Sequence, residues 1–510
     1  MKSKDKLVIL LVIFLSALLL NTYNNDFKLG YHSDEPKKVH FIRSNTQDFQ
    51  HPILMLQIVR AVNYFADFID NQAIASLGRT VIAIFGALIA MSSYLISRPT
   101  LGKGYAYVVA ALVASSPILV IHSHYMKEDI ILTFFCLLSI LWLFRYIRIT
   151  NLISTIGLGI STGLAISSHY KGVLLFIIYL FGPVLVPLKD RYKYLRGLIG
   201  CAIVAMLSFL VVNYPIFLHP RIFLRGFSSE LRHILQGHGL GPLRHTIKID
   251  AISELFGFHL INSIIPGITL LVTLFALSFF VYTLLRWKKS FWQDKILMFY
   301  VMLFYFAVEL SPTKPFPNFA RYIIPIVPIL LYFSVRGAGT ISDCLNFKGA
   351  RVAFATLVAA SFSLPLYESM RLVHDLNNDT REKAERWITE NHWNTKSEAY
   401  AKLSANVWSL STLNIQQERD KGVTHFIASS FMYDRYRYGN KLKNQDETIY
   451  EAYRRYEELF SYPFIEINPP YKSFAFSNPT IRIIDIREKK QREAGSAVER
   501  APASGHSLRD

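Results

Sequence analysis

The sequence LVILLVIFLSALLL (residues 7–20), followed by YHSDEP (residues 31–36), is the stretch from which the rest of the chain can be interpreted. An apolar run without charge, followed by the adjacent carboxylates of Asp34 and Glu35, is typical of a membrane span that ends at a functional loop. Carboxylates at the mouth of a span are energetically costly unless they bind or catalyse something. Taken alone, the pair could equally be solvated loop charge or the acidic first turn of a helix.

Composition indicates a polytopic membrane protein. Of the 510 residues, 52% are hydrophobic and only 18% are charged, and the mean hydropathy is +0.27. The apolar residues form blocks of the length that crosses a bilayer, which is about 20 residues of helix. The net charge of +18 lies mostly in short loops between these blocks, which is the positive-inside pattern and not a groove for nucleic acid. The three cysteines imply no disulfide framework.

The first apolar run follows three lysines and has two interpretations, a signal peptide or a first span. No small-residue cleavage site follows it, which favours a span whose N-terminus stays inside. Ten further runs then predict about eleven spans and a C-terminus outside, at about 74–97, 104–121, 130–147, 152–167, 172–188, 197–214, 261–285, 296–311, 322–335 and 351–366. The outside loops are 21–72, 122–129, 167–172, 215–260 and 311–321.

The fold class predicted is an α-helical membrane domain over residues 1–366 with a small exported α/β domain over residues 367–487. In the exported domain the pattern predicts helices at 379–391 and 446–460 and strands at 423–428 and 480–486. Asp379 or Thr380 would cap the first of these helices. The tail, 488–510, has the composition of a disordered segment.

The unusual polar residues all fall on the predicted outer side of the membrane. A transport pathway would place such groups near mid-membrane, so a cluster on one face favours an enzyme with an interfacial pocket. Each residue also has a simpler explanation: helix capping for Glu128 and Asp129, helix entry for His51-Pro52, snorkelling for Arg79 and Lys171, and headgroup contact for Lys314 and Arg321. The ordered set is a stronger signal than any member.

This set resembles the GT-C type membrane glycosyltransferases that use polyprenyl-phosphate sugars, and within them the protein O-mannosyltransferase and aminoarabinose transferase superfamily. The resemblance covers nearly the whole chain. It is carried by Asp34-Glu35, His51-Pro52, Arg79, Glu128-Asp129-Ile130-Ile131-Leu132-Thr133, His169-Tyr170-Lys171-Gly172, Arg321-Tyr322-Ile323-Ile324-Pro325, and in the tail Asp379-Thr380-Arg381 and Asn478-Pro479-Thr480-Ile481-Arg482. Next to Glu128-Asp129 the chain carries His122, His124 and Lys127, a more basic surround than in many relatives.

The resemblance implies an outer-face active site in which a first-loop acid is the catalytic base. We expect Asp34 in that role, with Glu35 as orienter or exchangeable candidate. Arg79, Lys171, Lys314 and Arg321 are expected to bind the donor phosphate. The residues expected to bind or orient substrate are His51, Glu128, Asp129, His169, Tyr170 and Tyr322. No ligand spacing demands a metal, so no metal site or cofactor is assigned and a divalent cation is left open.

The function expected is inverting transfer of a hexose or pentose from a polyprenyl-phosphate carrier to an exported glycan, lipid or protein, at the outer face of the inner (cell) membrane. The alternatives are a lipid-linked sugar flippase and a non-catalytic assembly protein whose exported domain binds a partner. The sequence does not identify the sugar, the acceptor, the oligomeric state or the host.

Overall fold

The computed structural model describes residues 3–186, 190–236, 257–311, 318–401, 407–436, 447–470 and 475–487. Helices make up most of the described residues up to His374. They are Ser3–Thr22, Glu35–Ser44, Leu54–Ala66, Asn71–Ala114, Pro117–Ser123, Glu128–Arg148, Leu152–Ser168, Leu174–Leu185, Arg191–Val212, Pro215–Leu218, Pro220–Gln236, Ile265–Ile268, Leu270–Leu285, Trp292–Glu309, Val327–Cys344 and Lys348–His374, with short 3-10 segments at Tyr170–Val173, Trp287–Lys289 and Asn318–Ile326 and a π-helical turn at Leu260–Ile264.

Several of these helices begin where the sequence supplies a cap. The carboxylate of Asp70 accepts the backbone N–H of Ala73, and Asn151 and Ser154 form a reciprocal capping box. The long helix Asn71–Ala114 contains Gly102 at φ 75°, a left-handed conformation that interrupts it between the two predicted runs 74–97 and 104–121. The helix of the second run ends at Ala114, before the predicted boundary at residue 121, and a new helix begins at Pro117.

Five helical segments in the described part of the chain are long and apolar enough to cross a membrane. A sixth is obtained if Gly257–Ile268 and Leu270–Leu285, bent by 120°, are one broken span; the five are Asn71–Ala114, Glu128–Arg148, Arg191–Val212, Ala320–Cys344 and Lys348–Glu390. Four shorter apolar helices accompany them. The structure is therefore a polytopic helical assembly, and the count of about eleven spans remains a prediction.

The membrane helices share one continuous apolar core. Leu152–Ser168 packs against both Glu128–Arg148 and Arg191–Val212, and Leu270–Leu285 packs against Val327–Cys344. Small residues permit these close approaches, since a Cβ at Gly163 would overlap the backbone of Ala205.

The C-terminal part contains a four-stranded sheet in the order β1-β2-β4-β3. The strands are β1 (Thr395–Ser397), β2 (His425–Ser429), β3 (Phe464–Ile467) and β4 (Ile481–Asp485), and only β1 and β2 are parallel. All five residues of β2 are buried, because the helix Thr380–Glu390 covers one face of the sheet and Glu447–Leu459 covers the other. The remaining short elements are Ile415–Asp420, Ser430–Tyr433 and the 3-10 turns Asp375–Asn377, Leu410–Thr412 and Asp434–Tyr436.

The elements predicted in this region all appear with boundaries shifted by one or two residues, and Asp379 caps its helix by accepting the backbone N–H of Arg381. The division of the chain at residue 366 remains a prediction. The predicted disordered tail lies outside the described residues.

Candidate active site

Glu35 is locked into a buried ion pair with Arg79. The guanidinium donates from Nε to Oε1 (3.0 Å) and from Nη2 to Oε2 (2.6 Å), and both side chains are fully buried. Oε1 also accepts the backbone N–H of Met126 (3.0 Å). Arg79 Nη1 donates to the carbonyls of Asn25 and Phe27, and the ring of Phe27 stacks on the guanidinium. This arrangement fastens the first loop to the long helix Asn71–Ala114 and to the loop before Glu128.

Asp34, the neighbouring acid, is accessible. Its side chain is 42% exposed, whereas its two cationic partners, Lys127 and Arg321, are 3% and 10% exposed. Lys127 Nζ lies 2.5 Å from Oδ2, and Arg321 Nη1 lies 3.6 Å from the same oxygen. The backbone N–H of Asp34 donates to Nδ1 of His32 (3.2 Å). A carboxylate that meets solvent between two buried cations is the feature that distinguishes Asp34 from Glu35.

Electrostatics keep Asp34 ionised. Partial burial of the group opposes ionisation, but Lys127, and then His32 and Arg321, outweigh that effect and hold the pKa of Asp34 well below its usual range. The group is therefore a carboxylate at neutral pH. Its basicity will rise when an anion draws the charges of Lys127 and Arg321 away from it.

Arg321 has unused hydrogen-bonding capacity. Its Nε and Nη1 atoms are buried and have no hydrogen-bond partner among the described residues. The guanidinium stands over the ring of Tyr322 (5.3 Å), and the ammonium of Lys171 stands over the same ring at 4.1 Å. Buried donors without acceptors are uncommon in proteins. Two such donors, with a second cation beside the same aromatic ring, make a site suited to an anion.

Glu128 and Asp129 are the first two residues of the helix Glu128–Arg148. Glu128 forms a buried ion pair with Lys38 and lies 3.6 Å from Lys127. Asp129 is 4% exposed and acts electrostatically on Lys171 and Arg321. Both acids therefore balance the cations of the site as well as beginning a helix.

His51 and His169 face each other, with ring centroids 5.0 Å apart. Burial, with Lys127, Lys38 and Arg321 nearby, lowers the pKa of His51 to about 3, so the ring is neutral. Glu230 of the helix Pro220–Gln236 completes a group whose ligand atoms lie within 4.8 Å of one another, the set of described residues that could hold a metal. His169 Nδ1 accepts the N–H of Lys171 (3.2 Å). Its Nε2 therefore carries the proton in the neutral ring, which is the tautomer of a donor and not of a ligand.

The helix Pro220–Gln236 closes over the first loop. A Cβ at Gly226 would overlap the carbonyl of Asp48, so the helix lies directly on that backbone. The hydroxyl of Tyr170 donates to the carbonyl of Phe49 (3.0 Å) and thereby joins the third outside loop to the first. A cleft of about 90 Å³ in the same region is lined by residues that include Asp34, Lys38, His51, Lys127 and Glu128.

The structure thus brings most of the predicted residues into one region. Its charged residues are Asp34, Glu128, Asp129, Lys171 and Arg321, and the ring of Tyr322 lies beside Lys171 and Arg321. His51 lines the cleft with Asp34, His169 lies against His51, and Tyr170 contacts the backbone of Phe49. Lys314 lies outside the described residues. Arg79 and Glu35 bind each other instead of facing the cleft, and a phosphate contact by Arg79 would require this pair to open. Their predicted roles, like those of the other site residues, remain predictions.

Four contributors were missed from the sequence: His32, Lys38, Lys127 and Glu230. Lys127 is adjacent to Glu128-Asp129, and the sequence shows it only as one of several basic residues near that pair. Lys38 follows Glu35 by three residues, which puts both on one face of the helix Glu35–Ser44, and this spacing was the available signal. Glu230 is the one acid of the amphipathic helix Pro220–Gln236, and the sequence alone does not place this helix against the first loop.

Comparisons with known proteins agree on the fold. Residues 50–210 match the family model described as dolichyl-phosphate-mannose-protein mannosyltransferase. The oligosaccharyltransferase from Archaeoglobus fulgidus, in its apo form, superimposes with a TM-score of 0.59 at 13% identity, covering 94% of this chain and 75% of that one. The archaeal oligosaccharyltransferase AglB from the same organism, with an inhibitory peptide and a dolichol-phosphate, gives 0.56 at 12% identity, covering 84% and 70%.

ArnT from Cupriavidus metallidurans, bound to undecaprenyl phosphate, gives a TM-score of 0.54 at 10% identity and covers 94% of this chain and 98% of that one. No curated protein sequence matches the chain at a significant level. The predicted GT-C fold is confirmed by these structures, and the family match over residues 50–210 agrees with it.

Proposed function

We propose, from the premise that the chain has the GT-C membrane glycosyltransferase fold, that it transfers a sugar from a polyprenyl-phosphate carrier to an acceptor on the outer side of the membrane. The observation that carries this proposal is the position of Asp34, an accessible carboxylate 3.6 Å from a guanidinium whose buried Nε and Nη1 make no hydrogen bond to any described residue. A base and an anion site within a few ångströms are what transfer from a lipid phosphate requires. The relatives whose structures contain dolichol-phosphate or undecaprenyl phosphate support the same donor class.

In the proposed reaction the acceptor hydroxyl or amine approaches the face of the sugar opposite to the phosphate. Its oxygen or nitrogen forms a bond to the anomeric carbon, its proton passes to Asp34, and the bond from the anomeric carbon to the phosphate oxygen breaks. The polyprenyl phosphate leaves with the electron pair, so the configuration inverts. Arg321, Lys171 and Lys127 stabilise the phosphate charge, Arg321 bidentately and the lysines as point charges.

Donor binding also activates the base in this scheme. In the free protein Lys127 and Arg321 are paired with Asp34, and a carboxylate so stabilised accepts a proton poorly. The phosphate of the donor competes for the same two cations. Because each cation that turns to the phosphate raises the pKa of Asp34, the base gains strength only when the donor is present.

A divalent cation remains open as a proposal, with His51, His169 and Glu230 as its candidate ligands. His169 would have to give up its hydrogen bond to the backbone of Lys171. No step of the proposed reaction is routed through this set, since the cations of the chain already meet the phosphate.

The test is transfer by the purified protein in lipid nanodiscs, supplied with a panel of polyprenyl-phosphate hexoses and pentoses and an extract of cell-envelope acceptors. Release of polyprenyl phosphate is measured by mass spectrometry. Asp34→Asn should lower the rate by about 10²- to 10⁴-fold, the usual contribution of a general base. The matched control is Asp67→Asn, an exposed acid in the same loop whose left-handed backbone (φ 51°) suits Asn.

Full activity in Asp34→Asn would exclude this residue as the base. Movement of an intact donor across liposomes, with no polyprenyl phosphate released from any member of the panel, would favour the flippase instead. An assembly protein would tolerate Asp34→Asn and fail only when the C-terminal part is removed.

A further inference from the structure

The loop that carries Asp34 is held by the C-terminal part of the chain as well as by the membrane helices. Arg381 is buried and donates to the carbonyls of Tyr31 (3.1 Å) and Phe476 (2.8 Å) while it pairs bidentately with Asp379 (2.8 Å for each bond). The hydroxyl of Tyr31 donates to Glu382 (2.7 Å). Two hydrogen bonds therefore connect Tyr31, three residues before Asp34, to the helix Thr380–Glu390. Arg381 also joins that helix to the segment before β4 through the carbonyl of Phe476.

His32 connects these contacts to Asp34 itself. The imidazole accepts the backbone N–H of Asp34 at Nδ1 (3.2 Å), the side-chain-to-backbone turn that Asn and Asp make elsewhere. The ring lies against Phe476, with centroids 4.0 Å apart, and against Tyr125 at 5.2 Å. His32 and Phe476 are each only 1% exposed. The position of Asp34 thus depends on a histidine that is covered by an aromatic residue more than 440 positions away in the chain.

The hydrogen bond from Asp34 to His32 exists only while the imidazole is neutral, because a protonated Nδ1 is a donor and cannot accept an N–H. Burial lowers the pKa of His32 well below its usual range. The charge of Asp34 opposes this, and the charges of Lys127, Arg321 and Lys38 add to it. These four are the charged groups that act on the ring, and Tyr125 and Phe476 are its aromatic neighbours. The cover that excludes water from His32 is therefore needed for the turn.

We propose that Phe476 and His32 are positioning residues for the transfer reaction, through which the C-terminal part of the chain fixes the backbone and orientation of Asp34. This inference rests on the proposed function, in which Asp34 is the base. It assigns the C-terminal part a role in the chemistry itself, in addition to any contact with the acceptor.

The test compares Phe476→Ala with Phe476→Leu in the nanodisc transfer assay, measured from pH 5.5 to 8. Alanine admits water to His32, so its pKa returns toward the ordinary value of about 6.5. Below that pH the ring is protonated, so Nδ1 no longer accepts the backbone N–H of Asp34 and instead donates to the carboxylate of Asp34. We expect a new loss of kcat on the acid side, about ten-fold at pH 5.5 relative to pH 8, with KM for the donor little changed. Leucine keeps the apolar cover, so its profile should follow that of the wild type.

A second substitution isolates His32. His32→Asn retains an acceptor in the position of Nδ1 and does not titrate, so the double variant His32→Asn/Phe476→Ala should lack the acid-side loss. If Phe476→Ala fails to fold, the hydrogen bond from Asp34 to His32 is tested directly by comparing His32→Asn with His32→Ala. We then expect activity to be retained in His32→Asn and lost in His32→Ala. Trp387→Ala, an exposed aromatic of the same region, controls for truncation and should match the wild type.

A wild-type pH profile and kcat in Phe476→Ala would overturn the inference, and so would an acid-side loss that persists in the double variant. Neither result touches the proposed function, which fails only if Asp34→Asn is active or no donor is consumed. The two proposals can therefore fail separately.

Discussion

Asp34 and Glu35 are adjacent in the chain, yet their carboxylates have different surroundings. Glu35 begins a helix and turns inward to a bidentate pair with Arg79, whereas Asp34 remains outside that helix and meets the cleft. The sequence could place the two acids at the active site because their location after a span is unusual. It could not separate them, because the separation depends on Arg79, Lys127 and Arg321, which come from distant parts of the chain.

The buried pair between Glu35 and Arg79 should act as a structural fastening. Removing one partner leaves the other charged, buried and uncompensated, which typically costs about 3–5 kcal/mol. We therefore expect Glu35→Gln and Arg79→Met each to lower the melting temperature strongly, and the double variant to be destabilised by less than the sum of the two. Thermal unfolding of the four proteins in one detergent measures this coupling.

A further variant, Arg79→Lys, tests the predicted phosphate role of Arg79. Arg79→Lys retains the charge and loses the bidentate geometry, so in the fastening role it lowers stability and leaves donor KM nearly unchanged. A raised KM with unaltered melting temperature would show instead that Arg79 contacts the donor.

At the scale of elements, hydrophobic patterning predicted most helices. It missed the short strands and the buried lysines, which depend on contacts between distant segments. The run 130–147 and the helix Glu128–Arg148 agree closely, because length, apolarity and flanking charge all act locally. Strand β1 is only three residues long, and β3 is a partly exposed edge strand, so neither gave a signal. The ion-pair partners of Lys38 and Lys127 could not be predicted either, since each lysine pairs with a carboxylate from another segment.

Close packing of two membrane helices should depend on a single glycine. A Cβ at Gly337 would overlap the backbone carbonyl of Phe275, in the helix Leu270–Leu285, whereas a Cβ at Gly339 meets nothing within 4 Å. Gly337→Ala therefore forces the helices apart, at a cost of roughly 1–3 kcal/mol for overpacking. Gly339→Ala, in the same helix, should be neutral or stabilise by up to about 1 kcal/mol through helix propensity. Thermal unfolding distinguishes them, and equal melting temperatures would contradict the close contact.

At the scale of the whole molecule, the C-terminal part and the membrane part meet at the loop that carries Asp34. Tyr31 belongs to a buried cluster that draws on both parts and includes Phe27, Tyr125, Leu372, Tyr400 and Phe476. Arg381 is central to this junction, because its guanidinium contacts Asp379, Tyr31 and Phe476. In the motif Asp379-Thr380-Arg381 the sequence predicts a helix cap, and the structure adds the contact of Arg381 with the first loop.

Arg381→Met should therefore loosen the first loop as well as its own helix. The substitution leaves Asp379 buried without its cation and removes the donor to the carbonyl of Tyr31, so hydrogen–deuterium exchange in residues 28–36 should rise along with exchange in 379–390. Arg386→Met, an exposed position on the same helix, should change neither. If exchange rose in 379–390 alone, the membrane helices would be sufficient to hold the loop. A rise in both segments would show that the base is ordered only when the two parts of the chain are joined, which makes the junction a condition for catalysis as much as for stability.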